Sequence, residues 1–171
     1  IGLPWKEFKA LLEWSVKQKA PKQEPVEPPP ADYIVAACEY AGTLSADAGA
    51  QFTLTARINV LKEKGWKRIP VLPATVALTS AKLPEGVYLH CDGKSYELLT
   101  MKVGAVDVVL EFSTAVATAA GINQVTFPRV LPGSCVLGLT VAREEVDVKV
   151  AGAQSLVKRP QEQATRVVAA L

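Results

Sequence analysis

The chain has 171 residues, enough for one domain with a sizeable core and short for two. Hydrophobic residues make up 49% of it and charged residues 21%, a balance that folds rather than stays disordered. Lys and Arg (19) nearly match Asp and Glu (17), and the formal charge of +2 gives no electrostatic case for nucleic acid as a partner.

Residues 1–20 read as an amphipathic helix. Trp5, Phe8, Leu12 and Val16 recur at three- and four-residue steps, with Leu11 beside the same stripe. Lys6, Glu7, Lys9, Glu13, Lys17 and Lys19 lie mainly on the other side, and Trp14 falls off the stripe and widens the apolar surface. Pro4 suits a first turn, where its missing N–H costs nothing, and Pro21 suits a stop. A helix of roughly 25 Å results, marginal alone and in need of something to pack on. Three surfaces would serve: the chain's own β-domain, a protein partner or second copy, or a membrane. Trp5, Phe8, Leu11, Leu12 and Val16 are the candidate partner-binding residues.

Residues 21–31 read as a linker. Pro21, Pro25, Pro28, Pro29 and Pro30 among Lys, Gln and Glu favour an extended polyproline spacer reaching on the order of 30 Å. The PxxP spacing at Pro25 to Pro28 is one that any such spacer produces.

From Asp32 the period changes from 3.6 to 2. Phe52, Leu54, Ala56, Ile58 and Val60 alternate with Thr53, Thr55, Arg57 and Asn59, a strand with one buried and one wet face. Val106 to Phe112 and Val146 to Val150 alternate in the same way. Further strands are expected at Tyr33 to Tyr40, Trp66 to Val71, Thr75 to Leu83, Val87 to Cys91, Tyr96 to Met101, Gln124 to Phe127, Cys135 to Val141 and Thr165 to Ala170. Alanine-rich Thr114 to Ala120 reads as strand end plus loop. Turn residues punctuate these runs, most clearly Asp92-Gly93 at the centre of a tight hairpin. The pattern predicts that residues 32–171 form an all-β domain, an antiparallel β-sandwich of immunoglobulin-like or jelly-roll-like type.

No constellation fixes a reaction, and no catalytic residue, metal site or cofactor is expected. His90 is the only histidine, and its neighbour Cys91 points to the opposite strand face, a poor arrangement for base and nucleophile. Phosphate loops of the GxGxxG or GxxxxGK[ST] kind do not occur. Glu144, Glu145 and Asp147 are the densest acidic cluster, read first as a turn and second as a surface cation site. Cys38, Cys91 and Cys135 lack metal-binding spacing; they read as small hydrophobes, or as one disulfide plus a free thiol. Trp66 reads first as a buried sandwich tryptophan. The alternative makes Trp66, Tyr88 and Tyr96 the exposed aromatics of a carbohydrate- or ligand-binding module.

The stretch Gly65-Trp66-Lys67-Arg68-Ile69-Pro70-Val71-Leu72-Pro73, then Val76 to Leu83 and the hairpin from Tyr88 to Leu99, resembles a pattern in uncharacterised bacterial envelope proteins. Those proteins are long and carry β-sandwich domains ahead of membrane segments. Val106 to Phe112, Thr126-Phe127-Pro128 and Leu137 to Val148 continue the likeness in the same order. The resemblance implies an extracytoplasmic location and membrane attachment through segments outside this chain, with the natural protein continuing past Leu171. It carries no functional residues across. The expectation is a non-catalytic interaction or assembly module, its helix docking on a protein partner or on another copy.

Overall fold

A computed structural model describes residues 4–19, 27, 29–45, 49–119, 121–131, 133–161 and 163–171, without the side chains of 16–19 and 160. The linker expected over 21–31 therefore lies mostly outside the described residues. A helix, α1 (Trp5–Lys19), is followed by β1 (Tyr33–Ser45), β2 (Gly49–Val60), β3 (Lys67–Pro73), β4 (Ala77–Lys82), β5 (Val87–Cys91) and β6 (Ser95–Thr100). After these come β7 (Gly104–Thr114), β8 (Val116–Ala119), β9 (Ile122–Val125), β10 (Val136–Val141), β11 (Ser155–Gln161) and β12 (Ala164–Ala170). The chain is all-β apart from α1, as its period-two runs require.

A large sheet has the order β11-β12-β10-β1-β2-β7-β4, a small sheet the order β3-β6-β5, and β8 pairs with β9. Every pairing among the described strands is antiparallel except that of β1 with β10. A parallel pair needs a crossover, and here the connection contains all of β2 to β9.

Burial follows the alternation. On β2 Phe52, Leu54, Ala56, Ile58 and Val60 are buried, and on β7 Val106, Val108, Leu110 and Phe112. Ile69, Val71, Val87 and Leu98 of the small sheet join them in one cluster, so two layers share a single core. Tyr40, Phe52 and Phe112, from three adjacent strands, meet Phe127 in an aromatic group with ring centroids 5.0–6.3 Å apart. No described side chain of α1 belongs to that core.

Polar groups also sit inside, with Lys67, Thr100, Thr165 and the Tyr40 hydroxyl among them. The Lys67 side chain donates from its Nζ to the carbonyls of Met101 (2.9 Å) and Lys102 (3.4 Å). The Tyr40 hydroxyl is buried with no hydrogen-bond partner among the described residues, and burial pushes its pKa well above the usual phenol value.

The expected hairpin at Asp92-Gly93 is present. Asp92 Oδ1 accepts from the N–H groups of Lys94 and Ser95, both at 2.8 Å, and Gly93 takes φ 86°, a conformation that suits a residue without Cβ. Those backbone bonds, Ser95 first, hold the Asp92 carboxyl below its ordinary pKa.

Two strand expectations are corrected. Val146 to Val150 keeps its burial alternation but pairs with no strand: Val146 N–H donates to Thr165 Oγ1 (3.3 Å) and Asp147 ion-pairs with Lys158. The end of the large sheet is β11, a strand the alternation does not predict, since its Lys158-Arg159-Pro160 run carries none. Val116 to Ala119 is a strand, closing a small hairpin with β9 through Gly121.

Candidate functional site

Among the surfaces that expose large apolar side chains, two carry exposed aromatic rings. The first is α1. Its start is set by Pro4, whose carbonyl accepts from the N–H groups of Glu7 (2.9 Å) and Phe8 (3.2 Å), with the Glu7 carboxylate near the positive end of the helix dipole. Trp5 is 74% exposed and Leu11 54%, with Phe8, Leu12 and Trp14 exposed beside them. The Trp5 and Phe8 rings stack at 5.8 Å. Of the five residues expected to bind a partner, Trp5, Phe8, Leu11 and Leu12 thus line one open stripe, while the Val16 side chain lies outside the described set. Trp14 stands about 180° around the helix from Trp5 and belongs to a different face.

The second surface is the outer face of the small sheet. Lys67, Ile69 and Val71 point into the core, so Trp66 and Arg68 point out. The register sets Arg68, Leu99 and Tyr88 in one row across the three strands, and Pro70, Glu97 and His90 in the next. Trp66 and Tyr88 are 57% and 58% exposed, with ring centroids 6.2 Å apart and planes tilted by 53°. Beside them Arg68 grips Glu97 Oε2 through Nη2 (2.7 Å) and Nε (2.8 Å). Tyr96, the third aromatic of the expected set, lies on the other face, packed against the core with its hydroxyl donating to the Val76 carbonyl at 3.5 Å. The structure therefore joins Trp66 with Tyr88 and separates Tyr96 from both. Trp66 is not the buried sandwich tryptophan of the first reading.

The remaining chemistry is dispersed. An open depression of about 400 Å³ lies against Arg57 and Asp107, whose ion pair (2.6 Å) holds the Asp107 carboxyl below its usual range. Glu144 Oε1 accepts from Gln163 N–H (3.1 Å) and Asp147 is engaged by Lys158, so two of the three clustered acids already have partners. His90 and Cys91 are both exposed. Among the described residues no group of three or more His, Cys, Asp or Glu converges as metal ligands do. Sequence reasoning missed the inward Lys67 and the contact between Cys38 and Cys135, whose sulfurs lie 3.0 Å apart although 97 positions separate them. The period-two pattern itself held the signal for Lys67, since it shares the parity of Ile69 and Val71.

No protein-family model and no curated protein matches the sequence. Solved structures do match the fold. The chain is similar to an M1 zinc metallopeptidase mutant from Deinococcus radiodurans bound to a Tyr-Ser-Ala substrate, with a TM-score of 0.52 and 10% identity over 81% of this chain and 39% of that one. It is similar also to a two-domain M1 zinc metallopeptidase mutant bound to L-tryptophan, with a TM-score of 0.51, 9% identity and the same coverage. At such identities the likeness is one of fold, and the chain spans 39% of the length of those it matches. A two-histidine HExxH zinc-peptidase motif cannot be written with the single histidine present here.

Proposed function

We propose that the chain is a non-catalytic interaction and assembly module of a larger, membrane-tethered bacterial envelope protein, and that α1 docks through Trp5, Phe8, Leu11 and Leu12 in an apolar groove of a protein partner. The carrying observation is the open stripe: four large apolar side chains on one helix face, none of them in the core. Burying each fully is worth roughly 1.5–3 kcal/mol, and their spacing is that of helix-in-groove anchors. The sandwich has its own core without α1, so it serves as a body from which the helix is presented. The solved structures in which this fold covers 39% of a longer chain support a role as one part of a larger protein. No described helix is long and apolar enough to cross a membrane; in this reading the tether is carried by segments outside the sequence given.

The test compares capture of envelope proteins by the full chain, by residues 32–171 and by the full chain carrying Phe8→Asp and Leu12→Asp. One partner species retained by the unaltered chain and lost from both others is the expected result, with circular dichroism of the β-domain unchanged. The same species captured by all three, or binding to lipid vesicles in place of a protein, would sink the reading. Sedimentation of the unaltered chain alone distinguishes a second copy from a different partner.

The tilted Trp66–Tyr88 pair favours a second reading, a carbohydrate-binding face. Paired exposed rings beside a charge-paired Arg68 and Glu97 suit the apolar face and hydroxyls of a sugar. Trp66→Ala should then weaken binding of any glycan found on an array by about tenfold, and Tyr96→Phe should leave it unchanged. An array without hits for the full chain would remove this reading.

A further inference from the structure

The strand register places two cysteines side by side. In the parallel pair of β1 with β10, Glu39 faces Val136, so one step back along both chains Cys38 faces Cys135. Neighbouring strands lie about 4.8 Å apart, within the roughly 4.4–6.8 Å that separates the Cα atoms of a disulfide. Cys135 is held in place from its other side by Leu171, through paired backbone hydrogen bonds of 3.2 and 2.8 Å. Both side chains point inward, with exposures of 6% and 3%. The Cys135 thiol donates to Cys38 Sγ at 3.0 Å, about 1 Å more than a disulfide bond. Cys91, at the exposed end of β5, has neither relation.

We propose that Cys38 and Cys135 form a structural disulfide when the protein folds in an oxidising compartment, fastening the β10–β12 side of the large sheet to β1, while Cys91 stays a free thiol. A small-molecule disulfide such as oxidised glutathione is the oxidant. One cysteine thiolate attacks it, forming a mixed disulfide and expelling one thiolate. The second cysteine then attacks the mixed disulfide, forming the Cys38–Cys135 bond and expelling the other. Two electrons pass to the oxidant, and the two protons lost by the cysteines end on the released thiols.

The order of events follows from burial. Removal from water pushes the Cys38 thiol up to about 12, and the thiolate is the reactive species. The folded, reduced pair is thus slow to oxidise, and the bond closes while β10 is still docking. Once formed, it is shielded from thiol reductants by the same burial.

The test refolds the full chain from denaturant with oxidised and reduced glutathione, blocks thiols in denaturant, and identifies joined peptides by mass spectrometry. Expected is a peptide pair joining Cys38 to Cys135, with Cys91 blocked alone. The linked protein should melt about 10 °C above its reduced form, because the bond closes a long loop of the unfolded chain. Cys91→Ser should keep both the link and the melting difference. Cys135→Ser should lose both, and since that variant can fail for reasons of folding, the Cys91→Ser protein decides. Three singly blocked cysteines, a link through Cys91, or glutathione left on Cys38 or Cys135 without a link would each overturn the proposal.

Discussion

Phe112→Ala should destabilise the domain by about 4 kcal/mol and lower its melting temperature by roughly 12 °C. Phe112 lies on β7, where the register sets it opposite Phe52 of β2 on one side and Leu78 of β4 on the other. Its ring stacks on Phe52 at 5.5 Å and meets the edges of Phe127 at 5.4 Å and Tyr40 at 6.3 Å. Truncation removes most of a buried ring from a site hemmed in by three others, none free to close over the gap without leaving its own contacts. Phe112→Leu keeps most of the volume and should cost under about 1.5 kcal/mol. Urea midpoints of the two variants check this. A loss below about 1 kcal/mol for the alanine would mean that the aromatic group is loosely packed.

Gly42→Val should be comparably damaging, for the opposite reason. A Cβ at Gly42 would stand 2.4 Å from Cε1 and 2.6 Å from Cδ1 of Phe52, and 3.0 Å from Cδ1 of Leu139. The Phe52 ring cannot swing aside, since Phe112 stacks on it and Phe127 meets its edge at 5.0 Å. Alanine should cost about 2 kcal/mol and valine about 3 or more, well above the fraction of a kcal/mol gained by stiffening a strand glycine. Gly138, on the neighbouring β10, is the control: its Cβ would meet only the Tyr40 carbonyl, at 3.9 Å, and Gly138→Ala should be near neutral. Adding Phe52→Leu to Gly42→Ala should recover part of the loss, a coupling that a double-mutant cycle measures. If Gly42→Ala and Gly138→Ala cost the same, close packing of β1 against Phe52 is not what Gly42 provides.

These sites show how far the chain is legible without its structure. Strands β2 and β7 could be read because each has one wet and one dry face, and period two records that difference directly. The same rule, applied strictly at the start of β3, places Trp66 outside with Arg68 and puts Lys67 inside. The usual preference for burying tryptophan argued the other way, and it lost to the two carbonyls that receive the Lys67 ammonium. Those carbonyls come from Met101 and Lys102, which local sequence could not bring near. Strand β11 was missed because an edge strand need not alternate, and Val146 to Val150 misled because alternation reports burial, not pairing. The exposed stripe of α1 was readable, but its freedom from the core was not. Contact between Cys38 and Cys135 depends on the one parallel register among the described strands, which no short-range pattern specifies.

The ends of the sheets bear on how copies of this protein can meet. At one margin of the large sheet β11 carries Lys158, Arg159 and Pro160, the last without an N–H to offer, and Asp147 reaches across to Lys158. At the other margin β4 is six residues long and broken by a bulge between Leu78 and Ser80. The small sheet ends on β3, with Pro70 and Pro73 and a bulge beside Pro70, and on β5, only five residues long. Proline, bulges, charge and brevity are the means by which sheet margins refuse an added strand. Neighbouring copies are thereby disfavoured from adding strand to strand into a continuous ribbon at these margins.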